Sequence, residues 1–188
     1  ISFYFCLQLN IWLTMSEFNT AWTSIPEIYS EENEKIILNQ ITNARKVIFV
    51  ARGRVGLVTK MFMQRLIQLG NDCFWYDDLN IPMINGEDLI IFVSASGHTI
   101  SSHVYVSIAK EVGARTLAIT FNDTGRITLS VQTAVIYQEK KAHHASELFE
   151  QIANPMPMKT YYELAFLYIF ERLVSQFDSS EFEHTNFE

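Results

Sequence analysis

Cysteine is scarce in this sequence of 188 residues: there are two, Cys6 and Cys73. One pair builds no disulfide framework, and Cys73 lies in an apolar run that reads as a strand. A reducing compartment, the cytoplasm, is therefore the expected location. No Cys/His spacing matches a zinc site, so no metal is expected. Basic residues are few as well. Fourteen Lys and Arg stand against 21 Asp and Glu, a formal net charge of −7. Affinity for a polyanion comes from clustered Lys and Arg, so nucleic acid is not the expected partner. A small anion stays open, because backbone N–H groups and a few side chains hold one locally. Long hydrophobic runs are missing too. The stretch "ISFYFCLQLNIWLT", residues 1–14, is apolar but too short to span a bilayer. It also lacks the basic start and cleavage site of a signal peptide. No membrane partner is expected. Met15 reads as the natural start, with residues 1–14 as a non-native or disordered extension. The competing reading is a helix that docks on a partner subunit.

What is present suits one packed domain. Apolar residues make up 48% and aromatics 13%, enough for a sizeable core in a chain of this length. A single domain is expected over residues 15–177, followed by an acidic tail, 178–188. Helical spacing covers 27–44, with Ile28, Ile36, Ile37 and Ile41 apolar and Ser30 as an N-cap. "KVIFVA" (46–51) reads as a buried strand. Residues 57–70 read as a helix stopped by Gly70. Strands follow at 73–76 and 88–94. A helix over 99–112 carries Ile100, Val104, Ile108 and Val112 on one face and is closed by Gly113. A fourth strand spans 115–120, a short helix 124–130 and a fifth strand 133–137. Helices are expected at 143–153 and 160–174.

The strands are continuously apolar and alternate with helices. That pattern marks a parallel sheet covered on both faces. The expected fold is an α/β three-layer sandwich around a five-stranded parallel sheet, flavodoxin-like or Rossmann-like. Two helices, 57–69 and 160–174, are too apolar for a monomer's surface. Association into a homodimer or homotetramer is expected to bury them.

Ligands of such sheets bind beyond the carboxyl ends of the strands. Two strand ends stand out. Ala51-Arg52-Gly53-Arg54-Val55-Gly56 nearly matches the dinucleotide pattern G-x-G-x-x-G, with Asp77 or Asp78 as the acidic residue further on. The plainer reading is that Gly53 and Gly56 permit a tight turn. At the other end, Ser94, Ser96 and Thr99 set three hydroxyls around Gly97 where a helix begins. Helix N-termini offer unpaired N–H groups and a favourable dipole. Hydroxyls, a small residue and a helix start together make a phosphate cradle. The Walker lysine is absent. Simple N-capping by Ser96 or Thr99 is the alternative.

"SASGHTIS" (94–101) resembles the S-x-S-G-x-T phosphate motif of the sugar isomerase (SIS) domain. Residues 51–70 are similar to the G-x-G-R-S-G-x-x-x-K-x-F-x-x-R-L-x-x-L-G segment of 6-phospho-3-hexuloisomerases. Residues 156–174 resemble the last helix of those enzymes, P-x-G-T-x-F-E. The resemblance implies a reaction between D-arabino-3-hexulose 6-phosphate and fructose 6-phosphate through an enediol, with no cofactor. It implies that Ser94, Ser96, Gly97 and Thr99 hold the phosphate, that Gly53 and Arg54 border the sugar, and that Glu163 is the general base. Read from the residues alone, Thr160-Tyr161-Tyr162-Glu163 is also a capping box. Both roles stay open for Glu163.

The sequence departs from that pattern in several places. Val55 replaces the serine of G-R-S-G, Gln68 replaces a histidine, and Lys159 replaces the glycine of P-x-G-T. His98 stands where the motif has glutamate and is a candidate catalytic substitute; a solvated loop histidine is the other reading. The losses at 55 and 68 keep two further functions in view: a non-catalytic module that senses a sugar phosphate, and an aldose–ketose isomerase for another phosphosugar.

Overall fold

Five short runs of buried, mostly branched residues define the sheet. β1 is Val47–Ala51, β2 Cys73–Trp75, β3 Leu89–Ser94, β4 Arg115–Thr120 and β5 Thr133–Ile136. The computed structural model describes residues 22–98, 102–137 and 160–177. The expected helix at 143–153, the N-terminal extension, the acidic tail, Thr99 and Lys159 lie outside the described residues. All strand pairs are parallel, in the order β2-β1-β3-β4-β5. Every residue of β1 and β3 is buried, as strands covered on both faces must be.

The helices are α1 Glu31–Thr42, α2 Gly53–Gln68, α3 Ser102–Val112 and α4 Tyr161–Val174. The β1–α2–β2 and β3–α3–β4 crossovers run toward opposite edges. Right-handed connections therefore put α2 and α3 on opposite faces. α4 packs on α2 and on the 3-10 turn Ile25–Ile28. Rings knit this layer to the sheet. Phe62 stacks on Phe170 at 4.5 Å, and Phe49 meets Phe62 edge-on at 5.9 Å. Burial pushes the Cys73 thiol up to about 12, with Asp72 adding to the shift, so this cysteine is an inert core residue.

Several boundaries differ from expectation. The helix expected from residue 27 starts at Glu31. Pro26 belongs to the 3-10 turn, and Ser30 then caps α1 by accepting from the Asn33 N–H at 3.4 Å. α2 starts at Gly53 rather than 57, directly after β1, because Gly53 adopts φ +60° and turns the chain at once. Residues 126–130 form successive turns, not a helix. α3 is rotated from its expected face. Val106 and Ala109 are buried, whereas Val104 is 61% and Val112 36% exposed. Small Ala109 lets the helix approach the sheet, so the branched stripe is left outside. α4 buries seven residues within its own subunit, including Phe166, Ile169 and Phe170. Its apolar character is thus largely met inside the chain, while α2 leaves Leu57 and Met61 exposed.

Candidate active site

The sheet order reverses direction between β1 and β3. Chain leaving β1 goes to one edge, and chain leaving β3 goes to the other. That divergence opens a crevice beyond the strand ends, the usual ligand position in doubly wound sheets. A cleft of about 520 Å³ lies there. Arg52 and Val55, at the start of α2, form one wall. Val93 to Ser96 form the floor where β3 ends. Phe121 and Asn122 follow β4, and Tyr162 and Glu163 come from the first turn of α4.

The β3 loop is held by its own hydroxyls. Buried Ser94 accepts the Gly97 N–H at 3.1 Å, and Ser96 Oγ accepts the His98 N–H at 3.3 Å. Gly97 has φ +65°. A Cβ there would lie 3.0 Å from Gly125 Cα and 3.2 Å from Thr128 Oγ1. The neighbouring loop therefore requires a glycine here. That second loop, 121–131, buttresses the first. Ile127 N–H donates to the Gly97 carbonyl at 2.9 Å, and Asn122 Nδ2 donates to the Ser96 carbonyl at 3.0 Å. Asn122 Oδ1 accepts both the backbone N–H and the hydroxyl of Thr124, each at 2.9 Å.

Glu163 faces the cleft from a rigid helix. Phe121 packs against Phe166 at 5.0 Å and Tyr162 at 5.2 Å, which fixes the first turns of α4. Glu163 Oε2 lies 3.3 Å from Arg54 Nη2, an ion pair, and among the described residues no hydrogen-bond donor reaches this buried oxygen. Arg54 Nη1 also donates to Thr160 Oγ1 at 3.2 Å. The capping box is not built. Thr160 has helical dihedrals (φ −54°, ψ −21°), and its hydroxyl makes no cap hydrogen bond. Glu163 is thus committed to the cleft side of the helix.

The remaining candidates separate. Arg54 pairs with Glu163 and is not among the cleft-lining residues, while Arg52 lines the cleft and lies over the Tyr76 ring, 4.8 Å from its centroid. Burial first, then the Asp77 carboxylate, raises the Tyr76 phenol above its ordinary value, with Arg52 opposing. Tyr76 stays a neutral ring. His98 is exposed and outside the cleft-lining set. Gly53 shapes the entry to α2. Gly56 is a packing glycine, since a Cβ would meet the Ala51 carbonyl oxygen at 3.4 Å. Asp78 serves its own turn, accepting the Trp75 N–H at 3.4 Å. Among the described residues, no His, Cys, Asp and Glu cluster could hold a metal ion. Nor is any described helix long and apolar enough to cross a membrane. Arg52, Phe121, Asn122 and Tyr162 were not among the expected site residues. For Phe121 and Asn122 the signal was available, since "TFND" ends β4 as "VSAS" ends β3.

Sheet order, crevice and hydroxyl loop together define a doubly wound α/β protein with its ligand site at the topological switch point. The SIS domain model matches residues 40–156, well over half the chain, and the protein belongs to the SIS domain family. It is 30% identical over 126 residues to the 3-hexulose-6-phosphate isomerase of Mycobacterium gastri, a match covering 66% of this chain and 63% of that enzyme. A Methanococcus jannaschii protein, whose crystal structure was taken to imply 3-hexulose-6-phosphate isomerase function, superposes with a TM-score of 0.70 at 21% identity. The match covers 90% of this chain and 96% of that one. The Vibrio vulnificus NanR protein, solved with ManNAc-6P, has a TM-score of 0.65 at 14% identity, covering 88% of this chain and 61% of that one. At such identities the two structures establish the shared fold.

Proposed function

We propose that this protein is a phosphosugar isomerase that interconverts D-arabino-3-hexulose 6-phosphate and fructose 6-phosphate. The observation that supports this reading is the shared cleft: Glu163 lines the same crevice as the Ser94–Ser96 loop. The phosphate sits on that loop, and Thr99 extends the cradle. Glu163 removes the proton on C2 of the 3-ketose. The electron pair forms the C2–C3 double bond of an enediolate, and O3 takes a proton. Return of a proton to C3 and loss of the O2 proton leave the ketone at C2. The transfer is internal to the sugar, so the reaction calls for no external oxidant. Exposed Leu57 and Met61 on one helix support association into a homodimer or homotetramer.

The test is solvent exchange. Incubated with fructose 6-phosphate in deuterated water, the protein is expected to exchange the proton at C3, read by NMR. Exchange at C1 instead identifies an aldose–ketose isomerase. Binding without exchange identifies a sensor, a reading favoured by Val55, which lines the cleft where the motif has a serine. The phosphate cradle has its own readout. Ser94→Ala removes one hydroxyl partner of a charged group and the support of the Gly97 N–H. A hydrogen bond of that type contributes about 1.5–3 kcal/mol, so fructose 6-phosphate is expected to bind at least roughly tenfold more weakly. An unchanged dissociation constant by calorimetry would remove Ser94 from the cradle.

A further inference from the structure

We propose that Arg52, rather than Arg54, is the side chain that meets the substrate's phosphate. The inference rests on the sugar-phosphate reading and deepens it. Four observations carry it. First, Arg52 is the one cation among the described residues that line the cleft, and Glu163 is their one anion. A dianion entering a protein of net charge −7, beside a carboxylate, needs a local positive charge. Second, Arg54 is engaged elsewhere, paired with Glu163 at 3.3 Å and hydrogen-bonded to Thr160. Moving it to the phosphate would unseat the carboxylate that does the chemistry.

Third, Arg52 is in register with the hydroxyl loop. Ala51 pairs with Val93 across β1 and β3. Arg52 follows Ala51 as Ser94 follows Val93, and its extended dihedrals (φ −133°, ψ 160°) continue the strand. Residues in register share a face, on strands about 4.8 Å apart. Arg52 and Ser94 therefore leave the sheet edge side by side at the switch point. Fourth, the guanidinium is held over the Tyr76 ring, which Tyr105 braces edge-on at 5.4 Å. Stacking on the ring face holds the plane of the fork, and its five N–H groups can serve more than one acceptor. Asp77 is the acidic neighbour of this ring; the phosphate brings two charges against its one. Arg52 falls on the unspecified position of G-x-G-R-S-G, so it sets the phosphate affinity of this chain rather than that of the motif.

The test titrates the wild-type protein, Arg52→Ala and Arg52→Lys with fructose 6-phosphate and, separately, with inorganic phosphate by calorimetry. Arg52→Ala is expected to weaken both ligands roughly ten- to hundredfold, and Arg52→Lys to recover part of the loss. Unchanged affinity for both ligands overturns the proposal. So does a loss for fructose 6-phosphate with phosphate binding intact, because the guanidinium would then touch the sugar. A wild-type protein that binds neither ligand overturns it as well. Inorganic phosphate binding does not depend on isomerisation. A wild type that binds phosphate through Arg52 but shows no exchange at C3 therefore refutes the isomerase and leaves this proposal standing.

Discussion

Glu163→Gln is expected to lower kcat for the hexulose phosphate by roughly 10²–10⁴, the range for loss of a positioned general base. The substitution keeps side-chain size and the hydrogen-bonding end but removes the capacity to take a proton from carbon. Its effect on stability is expected to be small. The pair with Arg54 is 3.3 Å long, with Arg54 44% and Glu163 16% exposed. A solvent-screened pair of this kind contributes less than about 1 kcal/mol, equivalent to a few degrees in Tm at most. Binding is expected to change little, since the substitution leaves the Ser94–Ser96 loop untouched. The decisive result is therefore a split: a dissociation constant within about threefold of wild type, together with C3 exchange reduced by the full factor. Exchange that persists in the variant would mean that another group takes the proton. The unbuilt capping box strengthens the expectation. In a capping box the Thr160 hydroxyl would cap the helix, but it makes no cap hydrogen bond and accepts from Arg54.

The sheet was legible because its strands are continuous apolar runs, and every one of them forms within a residue or two of its expected bounds. The helices were legible as elements but not in orientation. In α3 the stripe Val104, Ile108, Val112 and the stripe Val106, Ala109 are both apolar, and spacing alone cannot say which faces the sheet. Packing decides, and small Ala109 wins. The Ser94–Gly97 loop and Glu163 were legible as candidate chemistry through the motif they resemble, and the structure brings both to one cleft. The motif singled out Arg54 and left Arg52 at its unspecified position. Both follow β1, and only the direction of each side chain reveals that one lines the crevice and the other pairs with the carboxylate. Asn122 was legible as a residue at a strand end, but its contact was not. Its role is to tie two loops together, which depends on the partner carbonyl at Ser96, 26 residues away.

Gly125→Ala is expected to abolish most sugar-phosphate binding although residue 125 does not line the cleft. A Cβ at this position would lie 2.7 Å from Gly97 Cα, 2.9 Å from its carbonyl oxygen and 3.0 Å from its carbonyl carbon. These are backbone atoms, so no rotamer change relieves the clash. Either Gly97 moves or the loop carrying residue 125 lifts away. Moving Gly97 pulls its N–H from Ser94 Oγ, a bond of 3.1 Å. Lifting the other loop strains the 2.9 Å bond from Ile127 N–H to the Gly97 carbonyl. Both routes disturb the hydroxyls proposed to cradle the phosphate. A misplacement of about 1 Å at a positioned group costs on the order of 10²-fold, and the expected loss of affinity is of that size. Overpacking of this kind destabilises by about 1–3 kcal/mol, which lowers Tm by roughly 2–4 °C per kcal/mol in a chain of this length. Gly86→Ala is the matched control. Its Cβ would make an ordinary contact, 3.5 Å from the Gly113 carbonyl, beside the turn that precedes β3. That variant is expected to bind fructose 6-phosphate as the wild type does. Equal affinity in both glycine variants would show that the two loops move independently, and the cradle would then owe its shape to Ser94 and Ser96 alone.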